Sequence, residues 1–471
     1  MDYRESAPAK ASRDMYLTGA GEVDKTRARY SHKSVGVPGT VAGLLRALHE
    51  FGSMTAAEVI APALALAQYG IVVTPTLAQG LERRAKRMQR WPNTDKIFYK
   101  SDGSFYQPGD LLVQADLAWS LGQIAHHGEA AFYTGAIAKR LVEEMASNGG
   151  LIEAQDLAAY RVVIREPVWG EYRGFKVASM PPPSSGGVHL VQILNVLEGY
   201  PIAHLGHNSA STMHLMAEAM RYAYADRSKH LGDPSFHAVP VAGLVSKAYA
   251  RTIRAKIDQH RATPSADVAP GKPSKYESRE TTHFSIMDRQ GNVVSNTYTI
   301  NFSFGTGIVA GGTGILLNNE MDDFSAKPGV ANAYGLLGGE ANAIEAGKRP
   351  LSSMTPTIVF KDGKPFFATG TPGGSRIITT TLQLVMNVID HGMNIAQATA
   401  APRMHHQWFP DELRIEQGVS PDTVAALSRL GHKVVTKRSM GSAQTVMRDG
   451  PWFMGASDPR RPGAWAAGLA Q

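Results

Sequence analysis

The sequence contains no cysteine among its 471 residues. This absence excludes disulfide bonds, thiolate nucleophiles and cysteine-ligated metal sites, and it is compatible with an oxidising compartment. Long apolar runs are also missing, since no stretch approaches the ~18 consecutive apolar residues of a membrane-spanning helix. The start, MDYRESAPAK, has neither the basic region nor the apolar region of a signal peptide. We therefore expect a soluble chain with no membrane span.

Charge of one sign is not concentrated anywhere in the chain. Lys and Arg number 48 against 41 Asp and Glu, which gives a formal net charge of +7. The cationic excess is spread out, without a basic run or an arginine–aromatic stripe, so nucleic acid is not an expected partner. Hydrophobic residues make up 43% of the chain, which is ordinary for a globular protein of one large domain or two.

Helical patterns are clear at several points of the sequence. The segment TVAGLLRALHEFG predicts a helix with Thr40 as its N-cap, because its apolar residues recur at helical spacing. Thr55 and Glu58 have the spacing of a capping box at the start of a second helix. Residues 211–227 predict an amphipathic helix, and we expect its Met and aromatic stripe to lie in the core.

A polar segment at 258–280 separates the helical part of the chain from a strand pattern. It contains three prolines, many charges and few large apolar side chains. This composition predicts an exposed, extended loop that a protease can reach. The loop runs directly into Thr281 and Thr282. A β-branched pair suits the start of a strand, so these residues alone do not indicate a function.

The residues after this loop predict a β-hairpin. THFSIMD and NVVSNTYTIN alternate, and RQG between them can form a three-residue loop with Gly291 in the left-handed conformation. If Asp288 pairs with Asn292, the ladder places Thr281 opposite Thr299, where hydroxyl groups can exchange hydrogen bonds. A two-residue loop would shift this register by one residue.

The hydroxyl of a threonine is a weak nucleophile and needs a base. The sequence has no G-x-S-x-G elbow and no H-E-x-x-H pattern. The sequence near the tandem pair His405–His406 shows no pattern that would supply a third metal ligand. A surface or packing role is therefore favoured over a metal site. The α-amine of a threonine, with a pKa near ~8, is a base that needs no other side chain. Its use requires cleavage between Glu280 and Thr281.

Several long motifs closely resemble those of the γ-glutamyltranspeptidases, which are N-terminal-nucleophile hydrolases also called glutathione hydrolases. They are TTHFSIMDRQGNVVSNTYTINFSFGTGIVAGGTGILLNNEMDDFSAKPG, KRPLSSMTPTIVF and ATGTPGGSRIITT, and before them YADRSKHLGDP, SMPPPSSGG and DYRESAPAKASRDMY. The likeness covers essentially the whole chain. It implies an α/β fold, the four-layer αββα sandwich of this class, assembled from two autoproteolytic fragments without a cofactor or metal.

The resemblance also implies how such a chain matures and reacts. A precursor cleaves itself before Thr281, giving a large subunit from residues 1–280 and a small subunit from residues 281–471, which pair as a heterodimer. Thr281, supported by Thr299, then attacks glutathione or another γ-glutamyl compound. Water, an amino acid or a dipeptide accepts the γ-glutamyl group. By the same resemblance the enzyme is periplasmic or secreted.

Further residues match the substrate site of this family. The backbone N–H groups of Gly373 and Gly374 match the oxyanion hole, which suits a glycine loop at a helix start. Other matches bind the charged ends of the γ-glutamyl group. The carboxylate is bound by Arg4, Ser352 and Ser353, and the amine is bound by Asn301, Glu320 and Asp323. Tyr334 matches the tyrosine of the lid over the site, in residues 327–339. Without the likeness, NNEMDDF would be interpreted as a solvated acidic turn, and the glycine loop as a plain β–α turn.

Two alternatives stay open at this stage. One is a related acylase that acts on glutaryl side chains, although Asp323 would then stand unpaired beside a substrate without an amine. The other is an inactive relative that binds γ-glutamyl compounds without maturing. Family members usually have about a hundred residues before the arginine motif. We therefore expect Arg4 to be poorly held at a frayed terminus, and the chain to be poorly soluble or slow to mature.

Overall fold

The computed structural model describes residues 1–269, 282–330, 332–333 and 335–468. The chain forms two compact units. Unit 1 consists of Met1–Arg165, Ile300–Asp322 and Ile344–Pro350, and unit 2 consists of Glu166–Thr299, Asp323–Ala343 and Leu351–Gln471. Each unit contains residues from both sides of position 280. The division into subunits at 280/281 is thus not a boundary between compact units, and it stays a prediction.

Unit 1 is mainly helical. Its helices are Lys25–Tyr30 (α1), Thr40–Phe51 (α2), Ala56–Tyr69 (α3), Pro75–Met88 (α4), Pro92–Phe98 (α5), Ala115–His127 (α6), Glu129–Tyr133 (α7), Ala136–Ser147 (α8) and Ala154–Ala159 (α9). Two short strands, Ile71–Val72 (β1) and Leu111–Leu112 (β2), pair antiparallel. Apolar side chains from these helices surround Ile308, Ala310 and Leu317 of the 300–322 segment, so this segment is part of the core of unit 1.

The starts of α2 and α3 differ in how well the sequence predicts them. The N-cap of α2 is Gly39, and Thr40 is the first helical residue, so the prediction of Thr40 as N-cap is wrong. A Cβ at Gly39 would lie 2.0 Å from the hydroxyl of Tyr160, so close packing rather than a side-chain cap determines this start. The capping box of Thr55 and Glu58 is confirmed.

Unit 2 contains a six-stranded sheet, a three-stranded sheet and a separate hairpin. In chain order the strands are Val168–Tyr172 (β3), Phe175–Ser179 (β4), Thr282–Met287 (β5), Val293–Tyr298 (β6), Thr357–Lys361 (β7), Lys364–Thr369 (β8), Met404–His405 (β9), Leu413–Glu416 (β10), Val434–Lys437 (β11), Gln444–Asp449 (β12) and Trp452–Ser457 (β13). The six-stranded sheet has the order β13-β12-β8-β7-β4-β3 and is antiparallel throughout. The β5–β6 hairpin packs on β12, β8 and β7 as a second β layer.

Helices form further layers of unit 2. They are Gly186–Leu197 (α10), Ile202–Leu205 (α11), Ala210–His230 (α12), Val241–Leu244 (α13), Lys247–Arg254 (α14), Arg376–Ile389 (α15), Ile395–Ala400 (α16) and Pro421–Arg429 (α17). Helix α10 packs on β3 and β4 and also contacts α12 and α15. Every residue of α10 is buried, because it lies between the sheet and other helices. Within the described residues, none of the helices has the length and apolar character needed to cross a bilayer.

Helix α12 is buried on nearly every face. The predicted helix is confirmed, and its Met213, Met216, Met220 and Tyr224 lie in the core as expected. The prediction that it is amphipathic is wrong. Its polar residues face protein rather than solvent, because α10, α14, α17 and β9 all pack against it. The polar residues of α12 give the sequence an amphipathic pattern. In the folded chain they are buried, because they pair with partners from distant parts of the chain.

Candidate active site

The β5–β6 hairpin has the register that the sequence predicts. The ladder runs from Met287 opposite Val293 to Thr282 opposite Tyr298. The amide of Asp288 donates to the carbonyl of Asn292 at 3.1 Å. Gly291 has φ 92°, the left-handed conformation expected in the loop. The predicted nucleophile Thr281 and its neighbour Glu280 lie outside the described residues, as does the part of the 258–280 loop from residue 270.

His283 lies in the second pair from this end of the hairpin, opposite Thr297. Its Nδ1 lies 2.8 Å from Oγ1 of Thr297, and its Nε2 lies 2.9 Å from Oγ of Ser285. The hydroxyl of Ser285 donates to the carbonyl of Gln444, so it accepts from Nε2 of His283, and Nδ1 then accepts from Thr297. Burial lowers the pKa of His283 to about 3. His283 is therefore a neutral ring with both nitrogens occupied, and it has no lone pair for activating a nucleophile.

A glycine loop joins β8 to α15, as the sequence predicts. Gly373 and Gly374 have φ values of 141° and 57°, which are strained for other residues. Their carbonyl groups accept from the amides of Arg376 and Ile377. The amide N–H groups of these two glycines donate to no acceptor in the described part of the chain. Two free N–H groups before a helix can stabilise an oxyanion.

Ser352 and Ser353 are buried in unit 2 against the serine turn that precedes α10. The hydroxyl of Ser184 lies 3.5 Å from that of Ser352, and the amide and hydroxyl of Ser185 both donate to the carbonyl of Ser352. Arg227 of α12 donates through Nε to Ser185 at 2.9 Å and through Nη2 to Ser353 at 3.2 Å. Sequence reasoning missed Arg227, although YADRSKHLGDP was part of the resemblance.

Arg4 and Glu320 lie together in unit 1. Nη1 of Arg4 is 2.5 Å from Oε2 of Glu320, and both side chains are buried. Nε of Arg4 donates to the carbonyl of Pro350, and its carbonyl accepts from Tyr160. The expectation of a frayed Arg4 is therefore wrong, because partners distant in sequence hold this residue. Burial raises the pKa of the adjacent Glu5 to about 7, against the opposing effect of the Arg4 guanidinium.

The remaining predicted residues are divided between the two units. Asn301, in unit 1, is buried with φ 71° and donates from Nδ2 to the carbonyl of Asn319. Asp323, in unit 2, is partly buried, and its carbonyl accepts from Nδ2 of Asn342 at 2.8 Å. Thr299, also in unit 2, is partly buried beyond the last pair of the hairpin ladder.

The predicted lid at 327–339 turns back on itself. The amide of Gly329 donates to the carbonyl of Gly338 at 3.0 Å, and Leu336 and Leu337 are buried. Tyr334 lies outside the described residues. The pairing at the base of this segment and its buried leucines anchor it within unit 2.

The tandem histidines are buried and have a packing role. Nδ1 of His405 lies 2.8 Å from Thr379 and its Nε2 lies 2.8 Å from Gln407. Nε2 of His406 lies 3.2 Å from Asp411. Burial lowers the pKa of both rings, to about 3 for His405 and about 4 for His406. Of the two roles that the sequence favoured, packing is confirmed and a surface position is wrong.

Known proteins similar to this chain were found by sequence and by structure. A family model described as gamma-glutamyltranspeptidase matches residues 1–468. The chain is 55% identical over 463 residues to a glutathione hydrolase proenzyme of Escherichia coli (strain K12), across 98% of this chain and 80% of that protein.

Solved structures also superpose on the chain, among them an acylase and a γ-glutamyltranspeptidase. The cephalosporin acylase from Bacillus halodurans superposes with a TM-score of 0.88 at 27% identity, over 100% of this chain and 84% of that chain. The Helicobacter pylori γ-glutamyltranspeptidase superposes with a TM-score of 0.57 at 43% identity, over 57% of this chain and 77% of that chain. These matches confirm the N-terminal-nucleophile hydrolase fold that the sequence predicts. This chain therefore belongs to the γ-glutamyltranspeptidase family, a family of threonine N-terminal-nucleophile hydrolases and acyltransferases.

Proposed function

We propose that this chain is the precursor of a glutathione hydrolase that cleaves itself between Glu280 and Thr281. The observation that carries this proposal is the family match over residues 1–468, which includes every residue assigned a role. The products are a large fragment from residues 1–280 and a small fragment from residues 281–471, which stay together as a heterodimer. We also propose that the protein is periplasmic or secreted.

Cleavage of the precursor begins at the hydroxyl of Thr281. Its oxygen attacks the carbonyl carbon of Glu280, the C–N bond of that peptide breaks, and an ester replaces it. This breakage frees the α-amine of Thr281, and water then hydrolyses the ester to release the hydroxyl of Thr281 and a carboxylate on Glu280. This amine is the base for the mature nucleophile. The hydrogen bonds of His283 support this assignment, because both nitrogens of that neighbouring ring are occupied.

The mature enzyme transfers a γ-glutamyl group in two steps. The hydroxyl of Thr281 attacks the γ-carbonyl of glutathione, and its proton passes through the α-amine to the departing amine of the cysteinylglycine portion. Water or the amine of an amino acid or dipeptide then attacks the ester and releases Thr281. Thr299 orients the nucleophile, and the observed register supports this, because one further pair beyond Thr282 and Tyr298 would join positions 281 and 299.

Charge and hydrogen bonding in the substrate site follow from the chemistry of a γ-glutamyl group. The free N–H groups of Gly373 and Gly374 stabilise the oxyanion of each tetrahedral intermediate. Arg4, Ser352 and Ser353 bind the α-carboxylate, and bidentate pairing suits the arginine. The α-amine is bound by residues that carry acceptor oxygens: Asn301, Glu320 and Asp323. Tyr334 closes over the bound substrate as part of the lid.

A glutaryl or cephalosporin acylase is the second candidate, because the Bacillus halodurans structure superposes over the whole chain. The two functions differ in one substrate group, the α-amine. A pair of anilides, γ-glutamyl and glutaryl, distinguishes them, since both carry the same scissile amide. We expect the γ-glutamyl anilide to have the higher kcat/KM by at least ~10-fold, because its ammonium gains a charged hydrogen bond. A preference for the glutaryl anilide would assign the chain to the acylases.

A further inference from the structure

Two histidines and a glutamate of unit 2, none of them assigned to catalysis, lie close together inside the protein. They are His214 and Glu218, one turn apart on α12, and His432, which follows α17. All three are buried, and one donor atom from each lies within 4.8 Å of the other two. The spacing of 214 and 218 places both side chains on one face of the helix.

The hydrogen bonds of His214 orient its ring toward the cluster. Its Nε2 lies 2.7 Å from the carbonyl oxygen of Asp258, and a carbonyl can only accept, so Nε2 carries a proton. In the neutral ring Nδ1 then has a lone pair, and Nδ1 lies 2.8 Å from Nε2 of His432. Histidines that bind metals commonly donate their second N–H to a backbone carbonyl in this way.

Glu218 supplies an oxygen without a partner at the same place. Its Oε1 accepts from Arg221 and from the amide of Thr263. Its Oε2 is buried and has no hydrogen-bond partner among the described residues. A buried carboxylate oxygen without a partner is unfavourable, and a bound cation would satisfy it. The positive charge of Arg221 is offset by Glu218 and by Asp411, which lies 3.3 Å from its Nη2.

We propose that His214, Glu218 and His432 form a zinc site. Two imidazole nitrogens and one carboxylate oxygen are ligands that zinc takes, and a water molecule can complete four-coordination. Ligand atoms on a tetrahedral zinc lie about 3.3 Å apart, so the two imidazoles need to separate by only about 0.5 Å. Zinc binding at Nε2 of His432 requires that this neutral ring carry its one proton on Nδ1 instead.

The three zinc ligands lie on both sides of the proposed cleavage position in the sequence. His214 and Glu218 precede position 280 and His432 follows it, so the ion joins the two fragments that the proposed function generates. That consequence rests on the proposed function, whereas zinc binding itself does not. If the chain is not cleaved, zinc binding can still be measured, because an uncleaved chain contains all three ligands.

The test is zinc binding to the full chain, measured by calorimetry and by metal content after dialysis. We expect one zinc per chain and a higher Tm with zinc than after chelator treatment. His432→Gln should weaken zinc binding by at least ~10-fold and remove the Tm increase. The matched control is His391→Gln, because His391 faces His207 at a ring distance of 5.3 Å without joining the metal cluster.

Cobalt provides a readout that does not depend on folding stability. Co²⁺ in place of zinc should give the strong visible absorption of a four-coordinate ion in wild type and in His391→Gln, and not in His432→Gln. Zinc binding that is equally tight in wild type and His432→Gln, or a wild-type chain that retains no zinc, would overturn the proposal.

Discussion

Replacement of Gly370 by alanine should disturb the nucleophile through His283. An added Cβ at Gly370 would lie 2.4 Å from Cε1 and 2.5 Å from Nδ1 of His283. Ordinary carbon contacts begin near 3.5 Å, so the ring must move by about 1 Å. Its hydrogen bonds to Thr297 and Ser285 fix the ring on both sides, so such a movement breaks at least one of them. The combined cost of overpacking and of a lost buried hydrogen bond is at least about 2 kcal/mol.

The consequence should appear in maturation, because His283 lies two residues after the proposed nucleophile. A misplacement of about 1 Å can slow a reaction by about 100-fold, so we expect cleavage of Gly370→Ala to be roughly 10–100-fold slower. Densitometry of a denaturing gel over time gives this rate, and circular dichroism gives the accompanying fall in Tm of a few degrees.

The matched control is Gly243→Ala, since a Cβ at Gly243 meets nothing within 4 Å and its helix tolerates alanine. Gly243→Ala should mature and melt like wild type. A Gly370→Ala protein that behaves the same way would refute the inference that the position of the His283 ring affects cleavage.

Three further predictions follow from individual groups. Asp323→Asn should lower kcat/KM for a γ-glutamyl anilide by at least ~10-fold and leave a glutaryl anilide nearly unchanged, because a charged hydrogen bond contributes ~1.5–3 kcal/mol; equal losses on both would show that Asp323 does not bind the amine. Arg227→Met should raise KM for the γ-glutamyl anilide by ~10-fold with a smaller change in kcat, since Ser353 loses the donor that positions it; an unchanged KM would limit Arg227 to a role in folding. Finally, Tm should fall as the pH drops from 7 to 5. Burial lowers the pKa of several histidines in the folded state to about 3, below the ordinary 6.5: His189, His283 and His405. The unfolded chain therefore binds protons before the folded chain does as the pH falls. The stability that these neutral histidines contribute is complete above pH 6.5 and is lost as the pH falls toward 3. A constant Tm would show that these buried histidines do not make folding stability depend on pH.

Local patterns in the sequence predict local structure well in this chain. The hairpin register follows from alternation and from the glycine at position 291, and the structure confirms it pair by pair. The capping box at Thr55 likewise depends on residues three apart. Thr40 shows the limit, since the start of α2 depends on the close approach of Tyr160, more than a hundred residues away.

Long-range pairing explains what the sequence did not predict. Polar residues on α12 give an amphipathic pattern, but Arg227 meets Ser353 and His214 meets His432 only in the folded chain. The burial of Arg4 depends in the same way on Glu320. Resemblance to a family supplied the site residues, whereas composition and periodicity could not, because partners so far apart leave no local signal.

The N-terminal sequence of the smaller fragment tests the central claim most directly. The purified chain of 50.7 kDa should resolve on a denaturing gel as pieces of roughly 30 and 20 kDa, in proportion to their lengths. Edman degradation of the smaller piece should read TTHFSIMD, starting at Thr281, and Thr281→Ala should remain a single band. A smaller piece that begins at any other residue, or a Thr281→Ala chain that is still cleaved there, would contradict the assignment of Thr281 as the nucleophile.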